Sequence, residues 1–187
     1  MKLAILGMTF LISSAPPCLA QEWQYAVNQY GVRSITASLK ADCMGTVLPV
    51  KMRISCQPAK RGFIGFEFTI QGVDKVSKFH FDEFEGPDAP GGDLELRAVT
   101  STSSTAFHLC PNGGYGPSNA EDFTFSAQAP TDKPGSAPKR ALRSLAKPGT
   151  KLVVIITDPK SPLQKLSIEI SERFPKVELQ KLLEGIK

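Results

Sequence analysis

The sequence predicts a mainly β protein of the α+β class. It calls for an antiparallel sheet of about eight or nine strands, in a sandwich or barrel, with a C-terminal helix packed on it. Alternation is the first reason. Leu48, Val50, Met52, Ile54 and Cys56 fall on one face of a run whose other face carries Pro49, Lys51, Arg53 and Ser55. Ile64, Phe66, Phe68 and Ile70 repeat the pattern against Gly65, Glu67 and Thr69, and Phe79 and Phe81 flank an outward His80. Punctuation is the second reason, because Gly, Pro and Asp separate these runs as they separate half-buried strands. The third is the helical spacing of Leu179, Leu182, Leu183 and Ile186 near the end of the chain.

In chain order, Met1–Ala20 reads as a secretory signal peptide. A Lys follows Met1, an apolar run spans Leu3–Ile12, and small residues close the segment before Gln21. The apolar run is shorter than the roughly 20 residues that span a bilayer, and no later run approaches that length. Residues 21–187 form one domain. Trp23–Val27 opens the sheet, Ser34–Leu39 follows, and Lys40–Thr46 is a turn into the central strands. After Phe81 a Gly- and Pro-rich loop reaches Asp93, and strands are expected over Leu94–Ala98 and Thr105–Cys110. Pro111–Asp122 is a second loop, and Phe123 and Phe125 mark another strand. Residues 128–139 have the composition of a mobile loop. Arg140–Lys147 makes two turns of helix with Leu142 and Leu145 inward. Two strands joined at Asp158-Pro159 then lead to a final helix begun at Pro175.

The net charge of +4 is too mild for a nucleic-acid-binding domain. The two signs are nonetheless segregated. Asp82, Glu83, Glu85, Asp88, Asp93 and Glu95 occur together without a cation, and Lys133, Lys139, Arg140, Arg143, Lys147 and Lys151 without an acid. A count of strand reversals puts these groups at opposite ends of the sheet.

Cys18 leaves with the signal, so Cys43, Cys56 and Cys110 remain for an oxidising compartment. Simple hairpins from Ser34 onward place Cys43 and Cys56 at opposite ends, about 30 Å apart along one strand. A disulfide tolerates a Cα separation of only about 7 Å. Counting onward, with a strand at Phe79–Phe81, returns Cys110 to the Cys56 end. The expected disulfide is therefore Cys56–Cys110 with Cys43 unpaired, and a change in strand parity makes Cys43–Cys56 the alternative.

No catalytic motif is present. G-x-S-x-G is missing. The acidic loop lacks the D-x-D-x-D-G spacing of a calcium loop, so no metal and no cofactor is expected. His80 and His108 each alternate with apolar neighbours and read as outward strand histidines, His80 lying near the acidic loop. Gly113-Gly114-Tyr115-Gly116 is a flexible turn that exposes its tyrosine. The candidate binding residues are Asp82, Glu83, Glu85, Asp88, Asp93 and Tyr115. Trp23, Tyr25 and Tyr30 are further aromatic anchors if exposed together.

The layout resembles small exported accessory proteins of bacterial type VI secretion systems and related envelope proteins. The resemblance is carried by Trp23, M-R-I-S-C at Met52–Cys56, F-E-F at Phe66–Phe68 and Phe81-Asp82. It continues through K-P-G-T-K-L-V-V at Lys147–Val154 and the closing L-L-E-G. The chain departs from that layout by ending without a terminal Cys. The resemblance implies an accessory role in a protein assembly, without catalysis. The expected function is an exported, non-catalytic interaction module, periplasmic or secreted, that meets an envelope or secreted protein. The alternatives are a proteinaceous inhibitor of a cell-wall hydrolase and a hydrolase that uses carboxylates of the acidic loop.

Overall fold

β2 (Arg33–Cys43) and β3 (Thr46–Cys56) pair along their full lengths, from Cys43↔Thr46 to Arg33↔Cys56. The computed structural model describes residues 23–57, 62–86, 92–117, 119–130, 137–145, 149–170 and 175–184. The turn between β2 and β3 is only Met44-Gly45, at φ +52° and +85°. Two left-handed residues make the tight hairpin whose twist suits the flanking strands. The expected turn over Lys40–Thr46 is thus mostly strand, because Ala41 and Cys43 continue the buried face. Pro49 falls in a pair without mutual hydrogen bonds, counting back from the turn, so its nitrogen faces β4. The β3–β4 ladder begins only at Val50↔Ile70, so the missing N–H breaks no bond there.

On one side of this hairpin follow β4 (Phe63–Gln71), β8 (Asn119–Pro130) and β7 (Asn112–Gly116). On the other follow β10 (Lys165–Ile170), β9 (Lys151–Thr157), β5 (Asp93–Val99) and β6 (Ser104–Leu109). β1 (Trp23–Val27) pairs with the first half of the β2 edge whose second half pairs with β10. All ten strands form one antiparallel sheet. Its terminal strands β6 and β7 are consecutive in the chain, joined by Cys110-Pro111. One proline-broken segment therefore pairs with β5 by its first part and with β8 by its second. The sheet must curl to allow this, and it forms a half-barrel in which Phe66 of β4 faces Phe107 of β6 at 6.2 Å between ring centroids.

The inward residues of β2, β3, β4, β5, β8, β9 and β10 fill the interior. One end is closed by α1 (Ala137–Leu145), which buries Leu142 and Leu145, and by α2 (Lys176–Leu183), which buries Leu179 and Leu182. Each such leucine contributes about 1.5–3 kcal/mol. Arg33 holds α2 in place by donating to the carbonyls of Lys181, at 3.0 Å, and Glu184. The other end is roofed by Phe79, Phe81 and Phe84, all buried.

Three sequence expectations change here. Phe79–Phe81 is not a strand: Val73–Lys75 and Phe81–Phe84 are 3-10 turns. Eclipsed i and i+3 positions let Phe81 and Phe84 point the same way, which a strand would not. Part of the Pro111–Asp122 loop is strand, namely β7 and the start of β8. The composition-based loop at 128–139 is trimmed at both ends, since β8 runs to Pro130 and α1 begins at Ala137; its remaining residues, like the signal segment, lie outside the described residues.

The missing strand also reverses the parity behind the disulfide. β5 starts at the end where β4 finishes. Neighbours across the sheet then run Leu109, Leu94, Ile156, Leu166, Cys43, so Cys110 lies at the Cys43 end. Cys56 is a full strand length away. The expected Cys56–Cys110 bridge is absent and Cys43, Cys56 and Cys110 are free thiols, the first two buried and the third exposed.

Candidate functional site

The phenylalanine roof positions the acidic residues. Phe79 stacks on Phe84 at 6.0 Å, and Phe84 meets Phe125 edge-on at 4.9 Å. Geometry of this kind adds stability beyond burial alone. Asp82 and Glu83 lie in the turn between Phe81 and Phe84, and Glu85 follows it and bridges to Gly113 of β7. Gly113 is required there, because a Cβ would sit 2.3 Å from the Phe123 ring. Two residues on, Tyr115 packs edge-on against Phe123 at 5.0 Å and keeps 38% of its surface exposed. Burial, then Asp82 and Glu85, push its hydroxyl pKa up. The structure thus brings Tyr115 to Asp82 and Glu85, residues that the sequence assigned to separate loops.

The remaining candidates divide. Glu83 pairs with Lys160 at 2.5 Å. Asp93 accepts a bond from His108 Nδ1 at 2.8 Å on the outer wall of β5 and β6, and Glu95 takes Arg97 at 2.6 Å. Asp88 lies outside the described residues. Among the described residues Asp82 and Glu85 form no ion pair, so the free negative charge of the rim sits beside Tyr115. Trp23 and Tyr25 pack against the core, with Lys181 Nζ at 5.8 Å from the Tyr25 ring centre, and Tyr30 is 77% exposed.

No sequence pattern pointed to the role of Asp158. Its carboxylate is fully buried and accepts four hydrogen bonds. Oδ2 takes the His80 amide at 2.9 Å and His80 Nδ1 at 2.8 Å, and Oδ1 takes the amides of Lys160 at 2.9 Å and Ser161 at 3.1 Å. Burial alone would raise its pKa. The bonds from His80, Lys160 and Ser161 outweigh burial and hold it below the ordinary carboxylate value. Asp158 therefore pins the β9–β10 turn to the segment that carries the roof. The His80 ring has no other hydrogen-bond partner among the described residues. The Asp-Pro turn was legible; its tie to His80, far away in sequence, was not.

The opposite end is basic. Burial, then Arg143, push the pKa of buried Lys139 down, and Lys151 at the start of β9 pairs with Glu169 at 2.8 Å. Among the described residues no group of three His, Cys, Asp or Glu side chains could hold a metal ion. No helix among them is long and apolar enough to cross a membrane. Comparison with protein-family models, with curated proteins and with solved structures finds no match.

Proposed function

We propose that the protein is an exported, non-catalytic interaction module of the periplasm or envelope, and that its acidic rim docks a basic surface of a protein partner. The observation that carries this reading is Tyr115, half-exposed and flanked by the carboxylates of Asp82 and Glu85, which form no ion pair among the described residues, on a rim braced by stacked phenylalanines. Tyrosine is among the residues that dominate binding hot spots. The two carboxylates would steer a basic partner and set orientation. The layout resemblance to secretion accessories supports an assembly role, and a basic cell-wall hydrolase would suit the same rim as an inhibited target.

Immobilised protein exposed to envelope extract and culture supernatant tests the reading, with bound proteins identified by mass spectrometry. The partner should be lost from a variant combining Asp82→Asn, Glu85→Gln and Tyr115→Ala. Tyr115→Ala alone should weaken binding by about 2 kcal/mol. A partner retained equally by the triple variant would refute the rim.

A further inference from the structure

At the end of the half-barrel that carries the acidic rim, a separate group of side chains has the opposite character. Leu163, in the β9–β10 turn, is 98% exposed. Met44, in the β2–β3 turn, is 40% exposed and Val47, at the start of β3, is 61% exposed. The turns are neighbours, because β10 pairs with β2 through Leu166↔Cys43. Met44 also occupies a backbone position, at φ +52°, that costs energy for any side chain beyond Gly, Asn or Asp. A thioether is thus held outward where the fold would prefer an asparagine.

Three lysines stand exposed around these tips. Beside Met44 lies a cleft of about 300 Å³ lined by Cys43, Met44, Thr46, Lys75, Ser77 and Lys78, and Lys165 is exposed next to Leu163. The local acids are Asp42, Asp74, Asp82, Glu83 and Asp158. Asp42 is occupied in accepting the Gly45 amide at 2.8 Å, Asp158 is buried and held by His80, Lys160 and Ser161, and Glu83 is neutralised by Lys160. Lys160 is excluded from the set, since Glu83 holds it. Long lysine stems cover apolar surface while their heads stay in water. Apolar tips that project between such lysines match a bilayer interface, where the tips enter the acyl boundary and the ammonium groups meet lipid phosphates.

We infer that the Met44–Val47 and Leu163 turns, with Lys75, Lys78 and Lys165, dock the protein on an anionic phospholipid surface. The bilayer is favoured over a protein partner by form. The apolar atoms stand on turns instead of lining a groove, and the cations are flexible point charges, not the planar forks that arginine offers a carboxylate. The cleft beside Lys75 and Lys78 is of a size to admit a phosphate head group.

Flotation of the purified protein with vesicles tests this, using equal parts phosphatidylglycerol and phosphatidylcholine against phosphatidylcholine alone. The protein should float with the anionic vesicles and not with the neutral ones. Leu163→Asp should reduce binding by about 10-fold, and Lys75→Gln with Lys78→Gln by about 20-fold. Met44→Asn should raise the melting temperature, because asparagine suits the turn, while still weakening vesicle binding. That pairing separates docking from damage to the fold. Asp82→Asn with Glu85→Gln, which removes negative charge from the same end, should bind vesicles at least as well as the native chain, so the two surfaces stand or fall separately. Equal binding by the Leu163 and Met44 variants, equal binding to neutral vesicles, or no vesicle binding would each overturn the inference. Displacement by inorganic phosphate at matched ionic strength would also overturn it, by reducing the site to an anion cleft.

Discussion

The protein contains two histidine–aspartate pairs with the same bond length. His80 Nδ1 lies 2.8 Å from Asp158 and His108 Nδ1 lies 2.8 Å from Asp93. Their surroundings differ completely. The Asp158 side chain is 0% exposed and accepts three further bonds, whereas the Asp93 side chain is 47% exposed. A carboxylate in water loses little when its partner is removed, since water replaces the bond. A buried acceptor has no such substitute, and every donor aimed at it is stranded when it goes. Distance therefore says little about what either pair contributes; burial decides it.

The comparison breaks if the two aspartates respond alike to removal. Asp158→Ala strands the amides of His80, Lys160 and Ser161 and should destabilise the protein by about 3 kcal/mol or more. Urea denaturation measures this through the shift of the midpoint. A loss below about 1 kcal/mol would mean that solvent reaches the site and that the pairs are equivalent.

Acid titration sharpens the same contrast. The folded pKa of Asp158 lies below its unfolded value, so the stability it confers is complete above the unfolded value of about 3.9. That stability is lost as pH falls through the folded value. The stability difference between the native chain and Asp158→Asn should therefore be flat at neutral pH and shrink only below about pH 4. A difference that shrinks already above pH 6 would show the carboxylate to be held far less firmly than its four bonds indicate.

These pairs also mark what the sequence could and could not convey. The strands around Met52 and Phe68 were legible because alternation records which face is buried, and Leu142, Leu145, Leu179 and Leu182 were legible because helical spacing records the same thing. Partners across the fold leave no such record. The acidic run at Asp82–Glu85 was visible, but its junction with Tyr115 depends on the sheet curling so that β7 returns beside the roof. The Phe79–Phe81 alternation misled because three residues satisfy a strand and a 3-10 turn equally well. That one error reversed the parity and moved Cys110 to the wrong end. Asp158 read as a turn residue because its local bonds to Lys160 and Ser161 are those of an ordinary Asx turn, while the His80 bond is purely tertiary.

Smaller substitutions grade the contrast. His80→Ala removes one of the four bonds to Asp158 and leaves the backbone amide in place, so a loss of about 1–1.5 kcal/mol is expected. His108→Ala and Asp93→Ala should each stay within about 0.5 kcal/mol. Equal losses for His80→Ala and His108→Ala would show that the ring bond of the buried pair is no stronger than that of the exposed pair.

The smallest expected effect reaches beyond the pair. Burial first, and then the charges of Asp42 and Asp158, push the Cys43 thiol up to about 11. Burial pushes Cys56 up to about 11 as well, against the opposing pull of Arg33 and Lys139. Thiolate is the reactive form, so an alkylating reagent near neutral pH should modify exposed Cys110 in the native protein and leave Cys43 and Cys56 untouched. Asp158→Asn removes one of the lesser causes at Cys43 and none at Cys56. Labelling of Cys43 should thus quicken slightly, and only as far as the fold loosens, while burial keeps it slow. Peptide mapping after timed alkylation distinguishes the two thiols. Rapid modification of Cys43 with Cys56 still protected would mean that the Asp158 charge, not burial, had been restraining it, and the ranking of causes would have to be inverted.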